Sequence, residues 1–114
     1  MNVGDLHWVE LPARGGHAQA GRRPAIIAQA DAQTARLPTV LLIPLTTQMD
    51  ALRFPGTVLV EADARNGLRR ASVALVFQLA AVDRRFVVSR IGEIAETTLQ
   101  QVWTALDELT GRAE

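Results

Sequence analysis

Apolar and polar positions change their period once along the chain. Through the first two-thirds, short apolar runs are separated by turn-forming residues, the pattern of strands. Asp5 to Glu10, carrying Leu6, Trp8 and Val9, predicts a short strand. Pro24 to Gln29 predicts a second, branched at Ile26 and Ile27. Thr39 to Pro44 holds Val40, Leu41, Leu42 and Ile43 without a polar break, consistent with a buried strand. Phe54-Pro55-Gly56 punctuates the chain before a strand over Thr57 to Val60. Val73, Leu75 and Phe77 alternate with smaller residues in a strand predicted over Ser72 to Gln78, and Phe86 to Val88 is a shorter candidate. Leu11 to Arg23 and Asp31 to Pro38 are rich in Gly, Pro or polar residues and are expected as loops. Near the C-terminus the period lengthens. Leu99, Val102, Trp103, Leu106 and Leu109 recur at helical spacing, Thr97 with Gln100 fits a capping box, and Gly111 fits a helix stop.

These elements predict a mainly β (α+β) fold. It would be a small barrel or curled antiparallel sheet with one amphipathic C-terminal α-helix packed on it. At 114 residues, positions 1–114 are expected to form a single domain. Hydrophobic residues at 48 % against 21 % charged mark a globular chain, not a disordered one.

Charge narrows the chemistry. The formal net charge is zero, so any nucleic-acid site must be a local cluster. All 12 basic residues are arginine; a GC-rich coding bias accounts for this, yet each still offers a planar, permanently charged fork suited to phosphate. Cysteine is absent, which removes disulfides and thiolate metal sites. His7 and His17 are the only histidines, and neither has a ligand partner at metal-binding spacing. No glycine-rich phosphate loop or P-loop lysine is present, so neither a metal nor a cofactor is expected. No apolar run is long enough to span a bilayer, and the N-terminus lacks the features of a signal peptide. A cytoplasmic protein without a membrane partner is therefore expected.

Two short segments could carry chemistry. Gln19-Ala20-Gly21-Arg22-Arg23-Pro24 closes a long loop and begins a strand; Pro44-Leu45-Thr46-Thr47-Gln48 ends one. If the two strands are neighbours, a guanidinium and a hydroxyl converge on one point, which suits a phosphate. Taken alone, the same residues also read as an ordinary strand start and an ordinary strand exit.

The ordered set is more specific than its parts. Gly4-Asp5-Leu6 with Trp8-Val9, then Gly16, Gln19-Ala20-Gly21 and Arg23-Pro24-Ala25, resembles the start of the MazF/PemK toxins. Pro44 to Gln48 is similar to that family's second motif. Phe54-Pro55, Gly67-Leu68, Ser72, Gln78, Val82 to Arg85 and Ile91-Gly92 follow in the family's order, so the match covers nearly the whole chain. The resemblance implies an SH3-like homodimer that cuts single-stranded RNA without a metal and is restrained by a cognate antitoxin with a flexible acidic tail. It implies that Arg23 and Thr46 are the catalytic pair, and that Gln19, Thr47, Gln48, Ser72 and Gln78 line the RNA groove. Arg22 and Arg53 would join Arg23 in the basic patch, and with no tyrosine in the chain, base stacking would come from Phe54, Trp8 or arginine planes.

The chain departs from the family at Ala18, Ala71 and Phe77, where acidic residues are usual, and at Ala80 and Ala81, which replace a polar pair. Without a carboxylate at position 18, His17 is the nearby group suited to proton transfer. These changes bear on RNA sequence specificity more than on fold. Two other functions fit the same architecture: a non-enzymatic toxin of the CcdB type that binds gyrase, and an inactive module keeping only antitoxin contacts.

Overall fold

Alternation along the first strand, β1 (Asp5–Leu11), sends Leu6 to one side and Val9 and Leu11 to the other, and this split organises the molecule. The computed structural model describes residues 1–11 and 21–113. Strand β2 (Gly21–Ile27) runs antiparallel to β1 from Leu6↔Ile26 to Leu11↔Gly21. Strand β3 (Thr39–Thr46) pairs with β2 through Ala25↔Pro44, Ile26↔Ile43 and Ile27↔Leu42. On its other edge β3 divides its pairing. Thr39 to Leu42 meet β6 (Ala80–Asp83), whereas Leu45 and Thr46 meet β5 (Ser72–Leu75). The short β4 (Thr57–Val60) lies outside β5, and β7 (Val87–Glu93) lies outside β1. All pairs are antiparallel, in the order β4-β5-β3-β2-β1-β7 with β6 off the path. The sheet is curled and open, with β4 and β7 as its ends, so of the two expected forms it takes the unclosed one.

Each face has its own apolar cluster. Leu6, Ile26, Ile43, Leu45, Val58 and Val60 are buried against the C-terminal helix α2 (Glu96–Thr110) through Val102 and Ala105. The opposite face carries a smaller cluster of Val9, Leu11, Ala25, Leu42 and Val82, flanked by Phe86 and Val87. Among the described residues no helix is long and apolar enough to cross a membrane.

Several local expectations are corrected. The loop drawn to Arg23 ends sooner, because β2 begins at Gly21 and pairs its first residues with Leu11 and Glu10. Pro24 is tolerated there because it lies beyond the last β2–β3 pair, where the strand has a single partner. The strand over Ser72 to Gln78 stops at Leu75 and turns through a 3-10 segment at Val76–Gln78. Ala80–Asp83 and Val87–Glu93 are strands, the latter replacing the shorter Phe86 to Val88. The stretch after Ala30 holds a helical turn, α1 (Asp31–Thr34). It is held by buried Gln29, whose amide donates to Thr34 Oγ1 and Thr39 O at 3.0 Å and accepts from the Leu41 N–H at 3.2 Å. Helix α2 starts without the capping box. Its N-cap is Ala95, which makes no side-chain cap bond, while the preceding Ile94 N–H bonds to Gly4 O at 2.9 Å. The helix stop at Gly111 is as expected, with φ 80° in the left-handed region.

Candidate functional site

Strands β2 and β3 part at the end that carries the two polar segments. The β2–β3 pairs end at Ala25↔Pro44, two residues short of Arg23 on one strand and of Thr46 on the other. The divergence has a cause: β3 turns at Leu45 and Thr46 to pair with Ala74 and Val73 of β5. Arg23 shares its face with Ala25, and Thr46 shares its face with Leu42. Both therefore lie on the side of the sheet away from α2. Arg22 and Thr47, one residue on, fall on the helix side.

Thr46 is 5 % exposed, and its Oγ1 accepts the Gln48 N–H at 3.2 Å, which turns the chain sharply off the strand. As an acceptor there, the hydroxyl keeps its proton to donate. Beside it opens a cleft of about 480 Å³, lined by Thr46, Gln48, Asp50, Phe54, Phe77 and Gln78 among others. Two exposed aromatic rings form its apolar wall. Phe54 and Phe77 meet edge to face with centroids 5.8 Å apart, and the Arg53 guanidinium lies 4.9 Å from the Phe54 centroid. Arg53 also faces Asp50 at 4.0 Å across a 3-10 turn at Met49–Arg53.

The expected site residues thus separate into groups. Thr46, Gln48, Phe54 and Gln78 share one cleft, with Arg53 over its aromatic wall. Thr47 and Ser72 line a different cleft of about 500 Å³ on the helix side, with Trp8, Arg69 and Arg70. Ser72 Oγ there donates to Arg70 O at 3.3 Å. Arg22 is engaged by Glu10 at 3.3 Å and stacks over Trp8 at 5.3 Å. Arg23 is half-buried at the strand end. His17 and Gln19 lie outside the described residues. His7, the other histidine, is buried in β1 with Nδ1 3.4 Å from Val88 O, on the edge facing β7. No group of three His, Asp or Glu side chains able to hold a metal ion occurs among the described residues.

Sequence reasoning missed Asp50. It occupies a stretch to which the sequence pattern assigns no element, and an acid is not the residue type expected to bind a phosphate. The spacing from Thr46 was the available signal, since a tight turn after a strand end brings residues two to four positions later back beside it.

Chemically, the strand ends offer a permanent cation and a neutral hydroxyl donor. Next to the hydroxyl are an aromatic wall and amide groups. That combination suits an anionic, base-bearing chain better than a flat protein surface.

Comparison with known proteins agrees with this architecture. The sequence profile of PemK-like, MazF-like toxins of type II toxin–antitoxin systems matches residues 2–110. The endoribonuclease EndoA of Bacillus subtilis is 28 % identical over 103 residues, covering 90 % of this chain and 88 % of that protein. The endoribonuclease MazF of Staphylococcus saprophyticus is 26 % identical over 107 residues, covering 94 % and 88 %. The crystal structure of MazF from Deinococcus radiodurans superposes with a TM-score of 0.83 at 26 % identity, over 97 % of this chain and 96 % of that one. A chain in a MazE–MazF crystal structure from the same organism gives 0.74 at 26 % identity, over the same shares.

Proposed function

The chain belongs to the PemK-like, MazF-like toxins of type II toxin–antitoxin systems, and on that premise we propose that it is an endoribonuclease that cuts single-stranded RNA in the cytoplasm. The observation that carries this reading is the end of the β2–β3 pairing at Ala25↔Pro44, just before Arg23 and Thr46 on the two strands, with Thr46 lining an aromatic-walled cleft.

Cleavage uses the RNA's own 2′-hydroxyl and needs no metal. Its oxygen bonds to the adjacent phosphorus while the bond from phosphorus to the 5′-oxygen breaks. The 2′ proton leaves to a base, and the 5′-oxygen gains a proton as it departs. The products are a 2′,3′-cyclic phosphate and a 5′-hydroxyl. The crowded phosphorane between them carries extra negative charge, which Arg23 holds through its forked N–H groups. A side chain with a pKa above about 12 is a poor proton donor, so electrostatic stabilisation is the main role of Arg23. Thr46 donates to a non-bridging oxygen. His17 is the candidate for proton transfer. Gln19, Gln48, Phe54 and Gln78 contact flanking nucleotides, Thr47 and Ser72 extend the contact to the second cleft, and Arg22 and Arg53 add positive charge along the path.

The working form is a homodimer, which covers sheet edges that a monomer leaves open. Its inhibitor is a cognate antitoxin whose flexible acidic segment competes for the arginine patch by mimicking phosphates. The test is incubation of the purified protein with a mixed single-stranded RNA pool in EDTA, with every cut end mapped. Cuts ending in cyclic phosphate and 5′-hydroxyl are expected. An uncut pool, or cutting only after a divalent ion is restored, contradicts the proposal.

A further inference from the structure

Asp50 is a carboxylate in a cleft that RNA cleavage would otherwise keep free of negative charge. Among the described residues lining the space beside Thr46 it is the one acid. It repels every phosphate that approaches, so it weakens RNA binding unless it makes a contact of its own. Its ion pair with Arg53 does not supply that contact. At 4.0 Å, with the two side chains 69 % and 72 % exposed, such a pair adds little stability. The surroundings supply a better account. Phe54 and Phe77 present exposed aromatic surface at the same opening, which is a platform for a splayed base. Gln48, also exposed, offers amide donors beside it.

Resting on the ribonuclease reading above, we infer that Asp50 reads the Watson–Crick edge of a guanine next to the cleaved phosphate. An ionised carboxylate only accepts hydrogen bonds, through two adjacent oxygens. Guanine is the one RNA base with two adjacent N–H donors on that edge, N1–H and the N2 amino group, so both oxygens are satisfied together. Adenine and cytosine each set one amino group beside a bare ring nitrogen, which would face the second oxygen. Uracil has a single N–H between two carbonyls. The exposed Gln48 amide lines the same cleft and would donate to guanine O6. Arg53, with its guanidinium 4.9 Å from the Phe54 ring centroid, extends the surface on which a base can stack.

The experiment uses the full-length protein and short single-stranded RNAs that carry guanosine, inosine or 7-deazaguanosine at the position flanking a mapped cut. Inosine lacks the N2 amino group but keeps N1–H, whereas 7-deazaguanosine keeps the whole Watson–Crick edge. For the wild type, inosine should lower kcat/KM at least about tenfold relative to guanosine, as for the loss of a bidentate contact, and 7-deazaguanosine should not. Asp50→Asn should erase the guanosine–inosine difference, and Asp50→Glu should restore part of it. RNA cleavage with no guanosine at the mapped sites, no inosine effect in the wild type, or an undiminished inosine effect in Asp50→Asn overturns the assignment while leaving the ribonuclease reading intact. Failure to cut any of these RNAs overturns that reading and this assignment with it. Because the inosine comparison needs no variant, the result stands even if a substitution disturbs folding.

Discussion

The two faces of the sheet are built from alternate residues of the same strands, yet they answer to different demands. On the face under α2, Leu6, Ile26, Ile43 and Leu45 are closed off from water almost completely, and Val102 and Ala105 of the helix seal them. The other face begins in the same way, with Val9, Ala25 and Leu42, but toward the parting ends of β2 and β3 its residues become Arg23 and Thr46. The first face is largely closed by the helix, and the second ends at the two residues to which the proposed chemistry is assigned. Stability and activity should therefore separate by face, residue by residue.

The sharpest break of that comparison is Arg23→Ala. Removing one preorganised charge donor typically lowers a rate by about 100- to 1000-fold, and this variant should do so while unfolding at the wild-type denaturant midpoint. Cleavage within a few-fold of wild type by a folded variant would remove Arg23 from the chemistry. The converse is Ile43→Ala on the covered face, where Ile43 is 0 % exposed. It should cost roughly 2–5 kcal/mol by urea unfolding, with the cleavage rate per folded molecule preserved.

Thr46→Val keeps the shape but deletes one neutral donor, so a rate loss of about tenfold or less is expected. Thr47→Val, on the helix face, should change the rate less; the reverse ranking would shift the site by one residue.

The smallest effect lies at the β1–β7 edge. Burial alone would raise the carboxyl of Asp5, but the Asn2 N–H at 2.9 Å and Arg90 at 3.4 Å outweigh it, holding the group below the ordinary 3.8. A carboxylate depressed in the folded state adds stability above its unfolded value and loses it as pH falls through the folded one. Acid unfolding should therefore show a decrement beginning near 3.8 that Asp5→Asn lacks. Arg90 is half-exposed, so the difference should be on the order of 1 kcal/mol or less.

The same contrast explains what the sequence discloses. The covered face is legible because burial demands apolar residues at fixed periods: β1, β4 and the stripe Leu99, Val102, Trp103, Leu106 all follow it. β7 is not legible, because its pairing with β1 shifts register around His7 and places Ser89 and Arg90 in the open, which breaks the alternation. β6 is four residues long and opens with two alanines, a weak strand signal. The run Ser72 to Gln78 reads as one strand, yet the chain turns at Val76, since an apolar run fixes burial but not backbone shape. The candidate site is legible through the ordered family resemblance, which names Thr46, Gln48 and Gln78 of the cleft, whereas Arg23 and Thr46 taken alone read as ordinary strand ends. Asp50 reaches the cleft through a tight turn whose geometry no period encodes.

The central claim is that the open face's strand end promotes attack by the RNA's own 2′-hydroxyl, and a single atom in the substrate tests it. A short single-stranded RNA carrying one 2′-deoxy nucleotide immediately before a mapped cut should be left intact at that bond by the wild-type protein in EDTA, while its all-ribose twin is cut there. Cleavage of the deoxy bond at a comparable rate would show that the nucleophile is not the 2′-oxygen, and the mechanism built on Arg23 and Thr46 would be wrong.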